Sequence, residues 1–206
     1  MAPAFTEDEI DDLLYLARTG EKIEFDALKE ELCKREKVDV VELAQTARDQ
    51  ESGNGILHMA AANGHDSFLL EFCKALNGSS PQNPTMLSIL NTQNKAGNTA
   101  LHWAALNGHL EAVKVLLDEG SDATITNQKG HDAVYEAELN DKKDVVEWVL
   151  KEGGEGLESG LGREAGEGSA DADADADEDM EDVSEEADGK NMEQKLKDLV
   201  VDAEKN

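Results

Sequence analysis

Five histidines and two cysteines are the residues of this 206-residue chain whose types invite a chemical reading. His58 and His102 stand at the same place in two near-identical phrases, and His65 and His109 follow each of them by seven residues. A helical zinc pair needs its histidines four residues apart, so that both rings leave one face, and a seven-residue offset does not supply this. Cys33 and Cys73 form neither a C-x-x-C pair nor a disulfide framework. They read as reduced, partly buried thiols of a cytosolic or nuclear protein, and no histidine stands in a recognisable motif to activate either. There is no glycine-rich phosphate loop and no nucleophile elbow. The 47 carboxylates read as a solvated surface and a tail rather than as an acid–base pair. The expectation is a protein that is not an enzyme and holds no cofactor and no metal.

What places His58 and His102 is a repetition. "GNGILHMAAANGH" runs from Gly53 to His65 and "GNTALHWAALNGH" from Gly97 to His109, with nine of thirteen positions identical. The leucine of the phrase recurs as Leu13, Leu57 and Leu101, and then as Val134, at spacings of 44, 44 and 33 residues. Each recurring letter has a physical use. Thr99 suits a helix N-cap, Ala104 and Ala105 let two antiparallel helices approach, and Gly108 supplies the left-handed residue that ends the first helix. Val113, Leu116 and Leu117 give the second helix its apolar face. One such unit cannot bury that face alone, so copies must stack and the end copies must be polar outside. The pattern G-x-T-x-L-H-x-A-A-x-x-G-H on a 33-residue period resembles the ankyrin repeat. That resemblance implies an all-α solenoid of about four repeats, beginning near residues 9, 53, 97 and 130, in a domain spanning 1–151. It also implies that His58 and His102 bond the turn backbone. The first and last copies are degraded. In the last, Glu136 and Glu138 replace small apolar positions, as a solvent-facing cap allows, and Gly153–Gly154 closes the unit. The first 11-residue excess falls on "VDVVELAQTAR", read as an extra turn of helix. The second falls on Asn77 to Thr85, whose two prolines, glycine and serines read as a surface loop.

Charge is uneven along the chain. The formal net charge is -28, with only 39% apolar and 4% aromatic residues. Residues 1–151 carry 27 acids and 14 bases, and residues 152–206 carry 20 acids and 5 bases. Residues 152–189 hold 16 of those acids against one base, Arg163, and such a composition predicts a disordered acidic tail. Met192, Leu196, Leu199 and Val200 then fall at helical spacing, giving a possible short amphipathic helix over 190–206. A charge of -28 argues against direct binding of nucleic acid, whose phosphates call for lysine and arginine, and against an anionic membrane. "MAPAFTEDEIDD" lacks the basic and apolar regions of a signal peptide, and no apolar run approaches the length of a membrane helix. A basic protein is the natural partner.

Aligning the copies assigns that partner a face, built from turn tips and the exposed side of the first helices. The turn positions are Glu51, Asn54, Lys95, Asn98, Lys129 and His131. The helix positions are Met59, Asn63, Trp103, Leu106, Asn107, Glu136, Leu139 and Asn140. Met59, Trp103, Leu106 and Leu139 make an apolar stripe rimmed by asparagine and glutamate, a pattern suited to an amphipathic helix. The bland alternative is that Leu106 and Leu139 only pack between repeats and that Trp103 is core.

The resemblance extends past the repeat. "NTQNKAGNTALHWAALNGHLEAVKVLLDEGSDATITNQKGHDAVYEAE", "ILHMAAANGH" and the acidic C-terminal region are together similar to the small fungal ankyrin-repeat chaperones of ribosome assembly. Roughly residues 50–150 carry that likeness. "GHDAVYEAE" is its specific part, since ordinary ankyrin repeats read G-x-T-P-L-H-x-A-A there. The likeness implies a non-enzymatic escort of a basic small-subunit ribosomal protein, the one with a KH domain. It would bind as a monomer or in a one-to-one complex, in cytoplasm and nucleus, with a link to salt-stress tolerance. The first repeat and the "DADADAD" run depart from the pattern. A generic ankyrin adaptor for another basic partner such as a histone, or a non-catalytic subunit of an enzyme complex, would share most of these features.

Overall fold

The computed structural model describes residues 5–77 and 84–151, all within one compact unit. Among the described residues there are ten helices and no strand, only an isolated bridge between Arg48 and Gly55. The helices are α1 (Glu7–Thr19), α2 (Lys22–Glu36), α3 (Val40–Thr46), α4 (Ile56–Ala62), α5 (Asp66–Asn77), α6 (Pro84–Leu90), α7 (Ala100–Asn107), α8 (Leu110–Asp118), α9 (Ala133–Leu139) and α10 (Lys143–Lys151). The expected tail over 152–189, the helix over 190–206 and the Gly153–Gly154 closure lie outside the described residues.

Four of these helices begin the four copies of the repeat. α1, α4, α7 and α9 pack in that order as a first row, and α2, α5, α8 and α10 pair with them as a second. The recurring leucine faces the core in the first three copies, since Leu13, Leu57 and Leu101 are all buried. Burying such a side chain contributes about 1.5–3 kcal/mol, and no single copy has a partner surface for it without its neighbours. Ala60, Ala61, Ala104, Ala105 and Ala137 are buried between the rows, where a larger side chain would push the helices apart. In the first copy Leu16 and Ala17 take that place. On the outer side Phe25 of α2 meets Phe68 and Phe72 of α5 edge-on, with ring centroids 4.7 and 5.5 Å apart, a geometry that aromatic quadrupoles favour.

Each of the first two copies carries an additional helix of seven residues. α3 and α6 stand 44 residues apart and pack against each other. Asp39 caps α3 by accepting from the Glu42 amide at 2.8 Å, so the extra turn expected at "VDVVELAQTAR" forms. The loop expected over Asn77 to Thr85 is corrected at both ends. Asn77 is the last residue of α5, and Pro84 and Thr85 open α6, while residues 78–83 lie outside the described residues. Pro84 initiates rather than breaks because proline fits the first helical position. The turn that follows is held by burying Met86, Ile89 and Leu90.

The first copy closes without a turn tip. α1 starts more than a turn earlier, relative to its leucine, than α4 does, and Thr6 and Glu9 form a reciprocal capping box there. Arg35 at the end of α2 grips the Glu9 carboxylate through both terminal nitrogens, at 2.5 and 3.0 Å. That guanidinium holds the Glu9 carboxyl down at about 2.

Candidate protein-binding face

Four of the five histidines prove to be fasteners between copies. The Gly55 amide donates to His58 Nδ1 at 3.2 Å, so Nε2 carries the proton and donates to the Asn98 carbonyl of the next copy at 3.1 Å. His102 repeats the arrangement, with the Thr99 amide on Nδ1 and Nε2 on the His131 carbonyl at 3.1 Å. His65 and His109 fasten backwards, through Nε2, to the Arg18 and Ala62 carbonyls at 2.8 and 3.0 Å. The His109 ring lies so close over Gly64 that a Cβ there would sit 2.6 Å from Nδ1. Burial lowers the affinity of His58 for a proton to about pH 4 and lowers that of His102 as well. The cysteines are equally quiet, since burial pushes the Cys73 thiol up to about 12 and raises Cys33. Among the described residues no cluster of histidine, cysteine or carboxylate is arranged to hold a metal.

The first-row helices superpose three columns of side chains on their outward side. Tyr15, Met59, Trp103 and Glu136 form one, Arg18, Ala62, Leu106 and Leu139 the next, and Thr19, Asn63, Asn107 and Asn140 the third. The second column ends in the most open apolar residue of the row, Leu139 at 57% exposure. Met59, Trp103 and Leu106 are half-buried. Trp103 is thus neither plain core nor free anchor, and its indole N–H is shielded without a partner among the described residues. The asparagine column serves helix ends first. Asn63 and Asn140 donate to the Met59 and Glu136 carbonyls at 2.9 and 2.8 Å, whereas Asn107 reaches back to Ala62 at 2.8 Å.

The turn positions divide into tips and rungs. Glu51, Lys95 and Lys129 are exposed tips. Asn54 and Asn98 are rungs, accepting from Asn94 and Asn127 of the following turn at 2.8 and 2.9 Å. Backbone bonds join the tips, from the Lys95 amide to Ser52 and from the Gln128 amide to Ala96. Glu136 corrects the reading of a solvent-facing cap, because it is only 8% exposed. Asn127 Nδ2 and His131 Nδ1 turn inward and donate to its Oε1 at 2.7 and 3.0 Å, which supplies the partners a buried carboxylate requires. His131 is accordingly half-buried against Glu136 and the Tyr135 ring. Glu138, by contrast, is exposed.

Sequence reasoning missed the first copy's share of this face. Tyr15, at 38% exposure, stands 44 residues before Met59 in register, and Arg18, Asp11 and Asp8 lie exposed on the same side of α1. The 44-residue spacing was the signal that could have found them.

The comparisons agree with this architecture. The family model described as ankyrin repeats, three copies, matches residues 30–127 and 57–158. The chain belongs to the ankyrin-repeat family. Within it, the chain is similar to a solved yeast chain in the crystal structure of the ribosomal protein Rps3 in complex with its chaperone Yar1. The two are 36% identical with a TM-score of 0.62, over 72% of this chain and 95% of that one. No curated protein sequence matches at a significant level.

Proposed function

We propose that this ankyrin-repeat protein is a non-catalytic escort. It binds a newly made basic ribosomal protein of the small subunit in a one-to-one complex and keeps it soluble until it joins the assembling subunit. The observation that carries the reading is the 36% identity, over nearly the whole length of the yeast chain, to a structure of Rps3 with its chaperone. A net charge of -28 supports it, because exposed lysine and arginine on such a client otherwise collect RNA non-specifically. The side chains support it too, since the histidines fasten the stack and the open positions of the first row are apolar or polar contacts. Activity in cytoplasm and nucleus, and a contribution to salt-stress tolerance through ribosome supply, belong to the same proposal.

The test is co-purification of the tagged full chain from its own cells, followed by mixing with the purified KH-domain ribosomal protein of the small subunit. The expected result is a stoichiometric complex that holds the ribosomal protein in solution when RNA is added. Recovery of a different basic protein, such as a histone, with no binding to the ribosomal protein, would make the chain an adaptor of another kind.

A further inference from the structure

Glu136 is the one carboxylate among the described residues that is buried with the core. It stands on the first-row face, next after Trp103 in its column. Asn127 Nδ2 and His131 Nδ1 both donate to Oε1, at 2.7 and 3.0 Å. Oε2 accepts from no described group, yet it is not sealed from solvent. His131 is the only basic side chain among the described residues that contacts the carboxylate, so no lysine or arginine of them neutralises it. The other charged neighbours are committed or point away. Asp132 caps α9 through the Tyr135 amide at 2.8 Å, and the Lys142 stem lies over Gly108 of the preceding copy. Lys129, Lys143, Glu138 and Asp141 are exposed. Burying a carboxylate is costly unless it is both hydrogen-bonded and paired. Here the hydrogen bonds are supplied and the counter-cation is not. Leu139, 57% exposed, lies three residues along the same side of α9, and Trp103 is half-buried on the helix before it.

We propose that Oε2 of Glu136 receives a single lysine or arginine side chain of the protein partner. The proposal rests on the reading of the first-row face as the partner-binding one and adds the residue that recognises the partner's charge. The stem of such a side chain lies along apolar surface while its head carries the charge, and Trp103 and Leu139 offer that surface. Two donors hold Oε1, so the carboxylate is oriented before the partner arrives and little is lost in ordering it. An acidic side chain in the same place would meet Oε2 with like charge, which is how an interface rejects a wrong arrangement. The exposed carboxylates of the chain attract a basic partner without choosing a position, because exposed pairs are weak and readily screened. A pair at Glu136 is withdrawn from water and is screened less.

The experiment compares the full native chain with Glu136→Gln and with Glu138→Gln, an equal charge change at an exposed position of the same helix. Each is titrated with the purified small-subunit ribosomal protein. Glutamine keeps an oxygen for Asn127 and His131, so Glu136→Gln should melt close to the native temperature. It should weaken binding about tenfold or more, as when one partner of a desolvated, hydrogen-bonded pair is removed. Glu138→Gln should cost less than about twofold. The loss at Glu136 should persist as salt rises from about 0.01 to about 0.15 M, over which the screening length falls from about 30 to about 8 Å. Unchanged affinity of Glu136→Gln, equal losses in the two variants, or a loss that salt erases would overturn the proposal. A second measurement needs neither a variant nor the ribosomal protein. The side-chain carboxyl carbons of the native chain are followed by NMR during titration with blocked arginine, blocked lysine or blocked citrulline, whose head has the shape of arginine without its charge. The Glu136 resonance should move with arginine or lysine before those of Glu138 and Asp141 do, and should stay still with citrulline. A Glu136 resonance that moves no earlier than the exposed ones, or equally with citrulline, would also overturn it. A chain that binds the ribosomal protein but fails these tests keeps the escort reading and loses the site. A chain that passes the NMR test yet ignores the ribosomal protein keeps the site and loses the escort reading.

Discussion

His58 shows how a residue that looks reactive is spent on structure. Its two ring nitrogens are committed, one to the Gly55 amide and one to the Asn98 carbonyl, and the commitment works only for the neutral ring. Burial is the main cause of its low proton affinity, about pH 4 in the fold against about 6.5 in an open chain. A depressed value means the unfolded chain binds the extra proton first. The stabilisation is therefore fully present above pH 6.5 and is lost as pH falls toward 4. The linkage is worth about 3 kcal/mol. Chemical denaturation between pH 7 and 4.5 should show this loss, and His58→Gln should flatten the slope while lowering stability at pH 7. An unchanged slope would mean that the ring is protonated in the fold. At this scale the sequence was legible where letters recur, as His58 and His102 do. It was not legible at Glu136, whose partners Asn127 and His131 lie nine and five residues upstream in a turn. Only the folded turn brings two donors onto that carboxylate, and without them glutamate reads as surface.

Among the elements, the inserted helices carry a larger lesson. The spacing of 44 rather than 33 residues showed that something was added twice, but what was added could be read correctly only once. "VDVVELAQTAR" opens with an aspartate cap and carries apolar residues at helical intervals. In the second insertion the prolines, glycine and serines of "NGSSPQNPT" obscure a helix only seven residues long, too short for periodicity to speak. Met86 and Leu90 are completely buried all the same. Leu90→Ala should therefore cost about 2–5 kcal/mol, as for any large-to-small change in a core. Urea unfolding would show this as a lower midpoint with an unchanged slope. A cost of a few tenths would make α6 a surface appendage. The first-row columns come from the same register, which is why Tyr15 belongs with Met59 and Trp103 although the letters around it are degraded.

For the whole molecule, charge and face divide the work. Residues 152–206 hold -15 of the net -28, and charge of that kind raises the rate of encounter with a basic partner more than it tightens the final complex. Stopped-flow mixing should show that a chain ending at residue 151 still binds the ribosomal protein, with a slower association that depends less on salt. Association unchanged in rate and salt dependence would reduce the acidic region to a solubilising appendage. Partner binding by the first-row face is tested by calorimetric titration of the purified small-subunit ribosomal protein into the full chain and into a Trp103→Ala, Leu139→Ala double variant. Because Trp103 is half-buried and Leu139 mostly open, the variant should stay folded, losing less than the about 3–5 kcal/mol of a fully buried tryptophan. The native chain should bind saturably at one to one and the folded variant at least tenfold more weakly, as for residues at the centre of an interface. Equal affinity of the two proteins, or no binding by the native chain, would contradict it.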